Sequence, residues 1–189
     1  MLIKPKSRYI QTTMSKHWLR KYPNIVKGLS IERSEQVWVS DITYIKTDEG
    51  NCYLNMVTDA YNRKIMGYSI ADSMDTDSMI KAFERGLKNR KYPDLKLIHH
   101  SDRGLQYCSK EYVALSNKNG VEISMTEQSD PYENTLAERM NRTLKEEFGL
   151  GQKILTKQVA KELTEQAVQL YNTQRPHLAL KRKIPEMMH

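Results

Sequence analysis

Three carboxylates stand where the surrounding sequence makes them costly or well placed. Asp41 lies in QVWVSDITYIKT, residues 36–47, where strand alternation puts Val37, Val39, Asp41, Thr43 and Ile45 on one face and Trp38, Ser40, Ile42 and Tyr44 on the other. Both faces read as buried, and an ionised carboxylate there is unfavourable unless a cation or several hydrogen bonds compensate it. Asp102 closes LKLIHHSD, residues 95–102, just before RGLQY, in which Gly104 permits a tight turn. Strand ends of α/β sheets are where sites gather. Glu138 falls in ENTLAERMNRTLKEEF, residues 133–148. A helical rotation of about 100° per residue places Glu138, Arg142 and Lys145 on one arc, with Leu136, Met140 and Leu144 opposite.

Taken singly, each has an ordinary explanation: a strand aspartate satisfied by neighbours, a turn cap, and a solvated Glu138–Arg142 pair. Taken together they suggest a metal site. Hard oxygen ligands on separate elements, with coordination positions left open, suit Mg²⁺ when a substrate phosphate supplies the rest. Two such ions can activate a water or 3′-hydroxyl and stabilise the leaving oxygen of an in-line displacement, with no covalent protein nucleophile. Lys145 and Arg142 would hold phosphate on the same face.

The elements that must position these groups form a mixed α/β chain. Residues 36–47 read as a strand, DEGN at 48–51 as a turn, CYLNMVTDA from Cys52 as a second strand and IMGYSIAD from Ile65 as a third, all antiparallel. A helix is expected over 76–90, capped by Asp75 or Thr76, with Met79, Ile80, Phe83 and Leu87 at helical spacing. A short buried strand at 95–102, a helix from Ser109 and a strand at 121–126 complete a βββαβαβ order. Helices around 131–148 and 156–173 follow. Strand-helix-strand crossovers place the last two strands parallel beside the hairpin sheet. Asp59, before the turn AYNRK, is read as a structural turn residue.

The 189 residues allow one domain with extensions: a basic arm or linker at 1–34, a core at 35–150, and a C-terminal helix and basic tail at 151–189 completing it. Net charge is +7, and residues 1–34 carry eight Lys/Arg against Glu32 alone, which accounts for the entire excess. A basic arm and tail around an acidic-leaning middle suit a protein that grips phosphate with its ends. The alternative for the arm is a solvated, disordered segment. Apolar runs are only a few residues long, so no membrane span and no secretory signal are expected. Cys52 and Cys108 show neither disulfide nor zinc spacing. A cytoplasmic protein fits these features.

Several of these segments resemble one family. WVSDITYI at 38–45, HHSDRGLQY at 99–107 and ENTLAERMNRTLKEEF at 133–148 are similar to the catalytic core of insertion-sequence transposases of the two-frame group, whose second frame carries an integrase core with a DDE triad. Asp102 and Glu138 are separated by thirty-five residues, the spacing of this class, and Lys145 matches the basic position expected seven residues after Glu138. DAYNRKIMGYS at 59–69 and YNTQRPHLAL at 171–180 also match, so the resemblance runs from about Ser34 to Pro185.

It implies an RNase H-like fold with a mixed five-stranded sheet, Asp41, Asp102 and Glu138 as catalytic and metal-binding residues, and Mg²⁺ or Mn²⁺ as cofactor, two ions in all. It also implies DNA as partner, both transposon ends and target, and a homo-oligomer on that DNA. Lys145, Arg142, Arg103 and Arg175 are the expected DNA contacts. Ser101, Arg103 and Gln106 are read as shaping the loop around Asp102, and Arg175 with Tyr171, Asn172, Pro176 and His177 as C-terminal packing or DNA contact. The activity implied is DNA cleavage and strand transfer; the alternatives are a nuclease of the same fold without joining and a non-catalytic DNA-binding remnant. Full-length relatives carry a helix-turn-helix region ahead of the core, whereas about 34 residues precede it here. A fragment, a truncated frame or a protein working with the companion-frame product would account for that.

Overall fold

The computed structural model describes residues 17–127 and 134–189. β1 (Val37–Thr47) turns through Asp48 and Glu49 into β2 (Gly50–Asp59), with which it pairs antiparallel from Trp38 to Thr47. The second strand begins two residues earlier than the composition of CYLNMVTDA suggests. The turn is only two residues long, and Gly50 supplies its positive φ of 105°. β3 (Ile65–Ala71) pairs antiparallel with β2. α1 (Thr76–Lys88) follows, capped by Asp75, whose side chain accepts the Ser78 amide at 2.8 Å.

β4 (Leu97–Ser101) returns parallel to β1, α2 (Lys110–Lys118) crosses over, and β5 (Val121–Met125) lies parallel to β4. The sheet order is β3-β2-β1-β4-β5, three antiparallel strands plus two parallel ones, as expected. α3 (Thr135–Glu147) and α4 (Lys157–Gln174) follow. Residues 131–133 of the expected third helix lie outside the described residues. Short single turns at Leu105–Cys108 and Leu178–Leu180, and α5 (Pro185–Met188), carry too few residues for a periodic signal.

Alternation along β1 divides the core. Trp38 and Ile42 join Met79, Ala82 and Phe83 of α1 and Tyr112 of α2 on one face. Ile45 joins Met140 and Leu144 of α3 and Ala160, Ala167, Val168 and Tyr171 of α4 on the other. β1 is therefore covered on both sides, and α4 shares one core with the sheet. Among the described residues no helix is long and apolar enough to cross a membrane.

A buried polar knot ties the ends together. Asp59 accepts the Tyr61 and Asn62 amides through one oxygen, the Asx turn read from its position, and the Glu35 amide through the other at 2.6 Å. Glu35, fully buried at a φ of 57°, receives Arg90 at 3.0 Å, the Lys91 amide at 2.7 Å and His189 at 3.0 Å. The basic N-terminal segment, from His17 on, lies along the β4–β5 end. The Met125 amide donates to the Pro23 carbonyl, the Ile25 amide to Ser124 Oγ, and the His17 ring to the Arg103 carbonyl.

β3 and α1 approach closely at Gly67. A Cβ there would lie 2.1 Å from the Ala82 carbonyl oxygen and 2.5 Å from the Gly86 amide nitrogen, both backbone atoms of α1 that cannot rotate away. Gly67→Ala therefore forces strand and helix apart and is expected to destabilise the fold by about 1–3 kcal/mol, read as a lower urea midpoint with unchanged slope.

Candidate active site

The parallel pairing of β1 with β4 places two of the carboxylates. Its register runs Val37↔Ile98, Trp38↔His99, Val39↔His100 and then ends. Continued by two residues, the same register sets Asp41 level with Asp102, at the point where the strands part. β1 goes on in its hairpin with β2, while the chain after Ser101 turns away into RGLQY. The separation leaves an open notch at the carboxyl end of β4.

A chain of buried groups holds the strands together just before this notch. Ser40 Oγ and His99 Nε2 are 2.5 Å apart, and His99 Nδ1 and Tyr112 Oη are 2.6 Å apart. Phe83 stacks on the His99 ring at 4.6 Å. Burial, reinforced by neighbouring His100, pushes the His99 pKa down to about 3, so the ring is neutral and its two nitrogens divide donor and acceptor roles.

Asp41 sits on the sheet face that α3 covers. One carboxylate oxygen accepts the Ile42 amide at 2.8 Å and the other the Asn141 side-chain amide at 2.7 Å. Both donors are neutral. Burial first, then the charge of Asp102 and more weakly that of Glu138, push the Asp41 pKa up to about 7 against these two hydrogen bonds. Asp102 Oδ1 accepts the Gly104 amide at 2.9 Å; Gly104 itself is extended at a φ of −60°, so the turn does not depend on the conformational freedom of glycine.

Glu138 is exposed on the first turn of α3 and its pKa is raised by partial burial. Asn134, at the helix cap, anchors α3 by donating to the Ser40 carbonyl at 3.0 Å. A groove of about 650 Å³ runs between β1 and α3, lined by Asp41, Tyr44, Glu138, Asn141, Arg142 and Lys145 among others.

Asp41 and Glu138 thus share this groove, and Asp102 lies close enough to Asp41 to act on its charge. The three carboxylates are not drawn into one ligand set: among the described residues no group of three His, Cys, Asp or Glu side chains is placed to hold an ion. Uncompensated carboxylates repel, and Asp102 is turned toward its own loop amide.

Lys145 lies over the Tyr44 ring at 4.5 Å, and burial lowers its pKa. Arg142 pairs with Glu146 at 3.0 Å and not with Glu138. Arg103 donates to the Thr126 carbonyl at 2.5 Å, bracing the loop after Asp102. Gln106 donates to the Met74 carbonyl, and Ser101 to the Asp102 carbonyl. Arg175 makes two bonds to Glu147, at 2.6 and 2.5 Å, and sits over Tyr171, so it locks the C-terminal region onto α3. Neither Arg103 nor Arg175 lines the groove.

Sequence reasoning passed over Asn141, Asn134 and Tyr44. Asn141 carried a usable signal, one helical turn after Glu138. Tyr44 carried none, because alternation assigns it to the face opposite Asp41.

Comparisons with known proteins agree with this architecture. Residues 32–131 match the integrase core domain model, and residues 119–185 match a second model of the same description. The chain is 33% identical to the 31 kDa protein of insertion element IS600 from Shigella sonnei, over 94% of this chain and 65% of that protein. It is 32% identical to the transposase of insertion sequence element IS904 from Lactococcus lactis, over 90% of this chain and 70% of the relative. It therefore spans about two thirds of the length of these curated relatives.

Among solved structures, the catalytic core domain of HTLV-2 integrase in complex with magnesium superposes with a TM-score of 0.64 at 16% identity, covering 83% of this chain and 97% of that one. A chain of the simian T-cell lymphotropic virus intasome in complex with PP2A regulatory subunit B56 gamma gives 0.69 at 15% identity, covering 94% and 61%. The retroviral likeness supports an RNase H-like fold. The family matches carry the assignment: this chain belongs to the integrase-core family and is related along most of its length to insertion-sequence transposases.

Proposed function

We propose that Asp41, Asp102 and Glu138 form the metal-binding catalytic triad of a DNA strand-transfer enzyme. The observation that carries this reading is the Asp41 carboxylate, close enough to Asp102 to feel its charge and with a pKa raised to about 7 while its two hydrogen-bond donors are both neutral. Negative charge gathered in this way, on hard oxygen donors beside a groove, fits a divalent cation such as Mg²⁺ or Mn²⁺. HTLV-2 integrase, which shares the fold, was determined with magnesium. Bound there, two such ions would supply Lewis acidity for in-line phosphoryl transfer.

The remaining work falls to the chain. Asp41 and Asp102 would hold cations at the notch, and Glu138 would close the set from α3. Lys145 and Arg142 would position DNA phosphate along the groove. In the first reaction water attacks the phosphorus at the transposon end, the P–O3′ bond breaks, and a free 3′-hydroxyl results. In the second, that hydroxyl oxygen bonds to a target phosphorus and a target 3′-oxygen leaves as the hydroxyl. DNA ends and target are the partners of this reading, with an oligomer assembled on them as in the intasome to which the fold is similar. Residues 35–150 with 151–189 would act as one catalytic unit and the basic segment at 1–34 as an arm or linker. The companion-frame product is a candidate for end recognition.

The test is nicking and strand transfer on labelled linear DNA with Mg²⁺ or Mn²⁺, comparing the parent with Asp102→Asn and Glu138→Gln. Each variant is expected to lose joining by at least about 10²–10³-fold. Activity that persists in both variants would sink the triad, and metal-dependent nicking without joining in the parent would favour a nuclease.

A stability prediction follows from the Asp41 shift. A carboxyl whose folded pKa is raised above its unfolded value binds more protons folded than unfolded, so its charge increasingly opposes folding as pH rises from about 4 to about 7. Asp41→Asn is therefore expected to raise the metal-free thermal midpoint, with a larger gain over the parent at pH 8 than at pH 4. Calorimetry at both pH values, in chelator, measures it.

A further inference from the structure

We infer that Asn141 is a positioning residue for the metal site: its amide fixes the Asp41 carboxylate, and its carbonyl oxygen is a second acceptor for a hydrated cation. The inference rests on the triad reading above and extends it to a residue of α3 outside the triad.

The geometry begins with the helix. Asn141 follows Glu138 by three residues, so the two share a side of α3, and both line the groove with Asp41. Asn141 is 6% exposed. Its Nδ2 lies 2.7 Å from Asp41 Oδ2, and it is the sole side-chain donor to Asp41 among the described residues. The other donor is the Ile42 amide, fixed by the strand itself. The orientation of the Asn141 amide follows from chemistry, because an ionised carboxylate only accepts and must face the NH₂ group. The carbonyl oxygen consequently turns away from Asp41, and it is buried with no hydrogen-bond partner among the described residues.

A buried amide with one end on a carboxylate and the other unsatisfied is a poor device for stability. It is a good device for a ligand. Magnesium keeps several of its waters, which are donors, and groups behind the direct ligands commonly orient those ligands and tune affinity. Asn141 offers both parts: a donor that sets the Asp41 rotamer before the cation arrives, and an acceptor for the water the cation carries.

The test measures Mn²⁺ binding directly, by electron paramagnetic resonance titration, on Asn141→Leu and Asn141→Ala, each paired with a thermal midpoint in chelator. Asp41→Asn serves as the control. Both Asn141 variants are expected to bind Mn²⁺ about 10–100-fold more weakly at a temperature where the metal-free midpoints show both to be fully folded. Strand transfer should recover in part at high Mn²⁺, separating metal affinity from turnover.

Affinity within twofold of the parent in both variants, while Asp41→Asn loses binding, would overturn the role of Asn141 and leave the triad intact. Undiminished binding in Asp41→Asn would instead remove the triad reading on which the inference rests. A loss of binding confined to temperatures at which the metal-free variants are already unfolding would overturn the inference as well, since it would mark Asn141 as structural.

Discussion

The central constraint is a carboxylate on the middle strand of the sheet. β1 is covered on both faces by helices, and Asp41 sits near its centre with only a backbone amide and an asparagine side chain to offset its charge. Charge in such a place is expensive, and neighbouring carboxylates make it more so. A fold selected for stability alone would put an apolar residue there. The surrounding structure instead secures the strand and leaves the charge partly unanswered.

That security comes from two buried arrangements. On the β4 side, Ser40, His99 and Tyr112 join β1 to β4 and α2 immediately before the notch, with Phe83 stacked on the imidazole. At the strand's start, Glu35 gathers Arg90, the Lys91 amide and His189, while Asp59 gathers the Glu35 amide and its own turn. Each buried acceptor in this second knot is met by several donors, which is what makes buried charge tolerable. Asp41 has two donors and, unlike Asp59 with its three amides, also faces the charges of Asp102 and Glu138. The contrast fits the proposed role of Asp41 at a cation site.

Placement of the other two carboxylates follows from topology. β4 runs parallel to β1, and Asp41 and Asp102 each lie two residues past the last pair, Val39 and His100, where the strands diverge. α3 then packs Met140 and Leu144 on the sheet, which leaves Glu138 and Lys145 along the groove and Asn141 against Asp41. Arg175, by contrast, closes on Glu147 and Tyr171, so the C-terminal region binds to α3 before any partner is considered.

The sequence by itself determined the element order, the two-sided burial of β1 and the three carboxylates, because side-chain periodicity and local turn chemistry act over a few residues and are written in them. It also carried enough spaced motifs to point to the integrase-core family. Tertiary structure alone decided that Asn141 would be the donor to Asp41, that Arg142 would pair with Glu146 and not Glu138, that Lys145 would lie over Tyr44, and that Arg103 and Arg175 would be spent on a loop carbonyl and Glu147. Apart from the Arg142–Glu146 pair within α3, these are contacts between segments distant in sequence, two of them spanning about a hundred residues of chain. Whether a polar side chain meets a partner, a ring or a groove depends on how a helix is rotated and shifted against the sheet. That rotation is fixed by packing of the whole core, to which no single stretch of sequence has access.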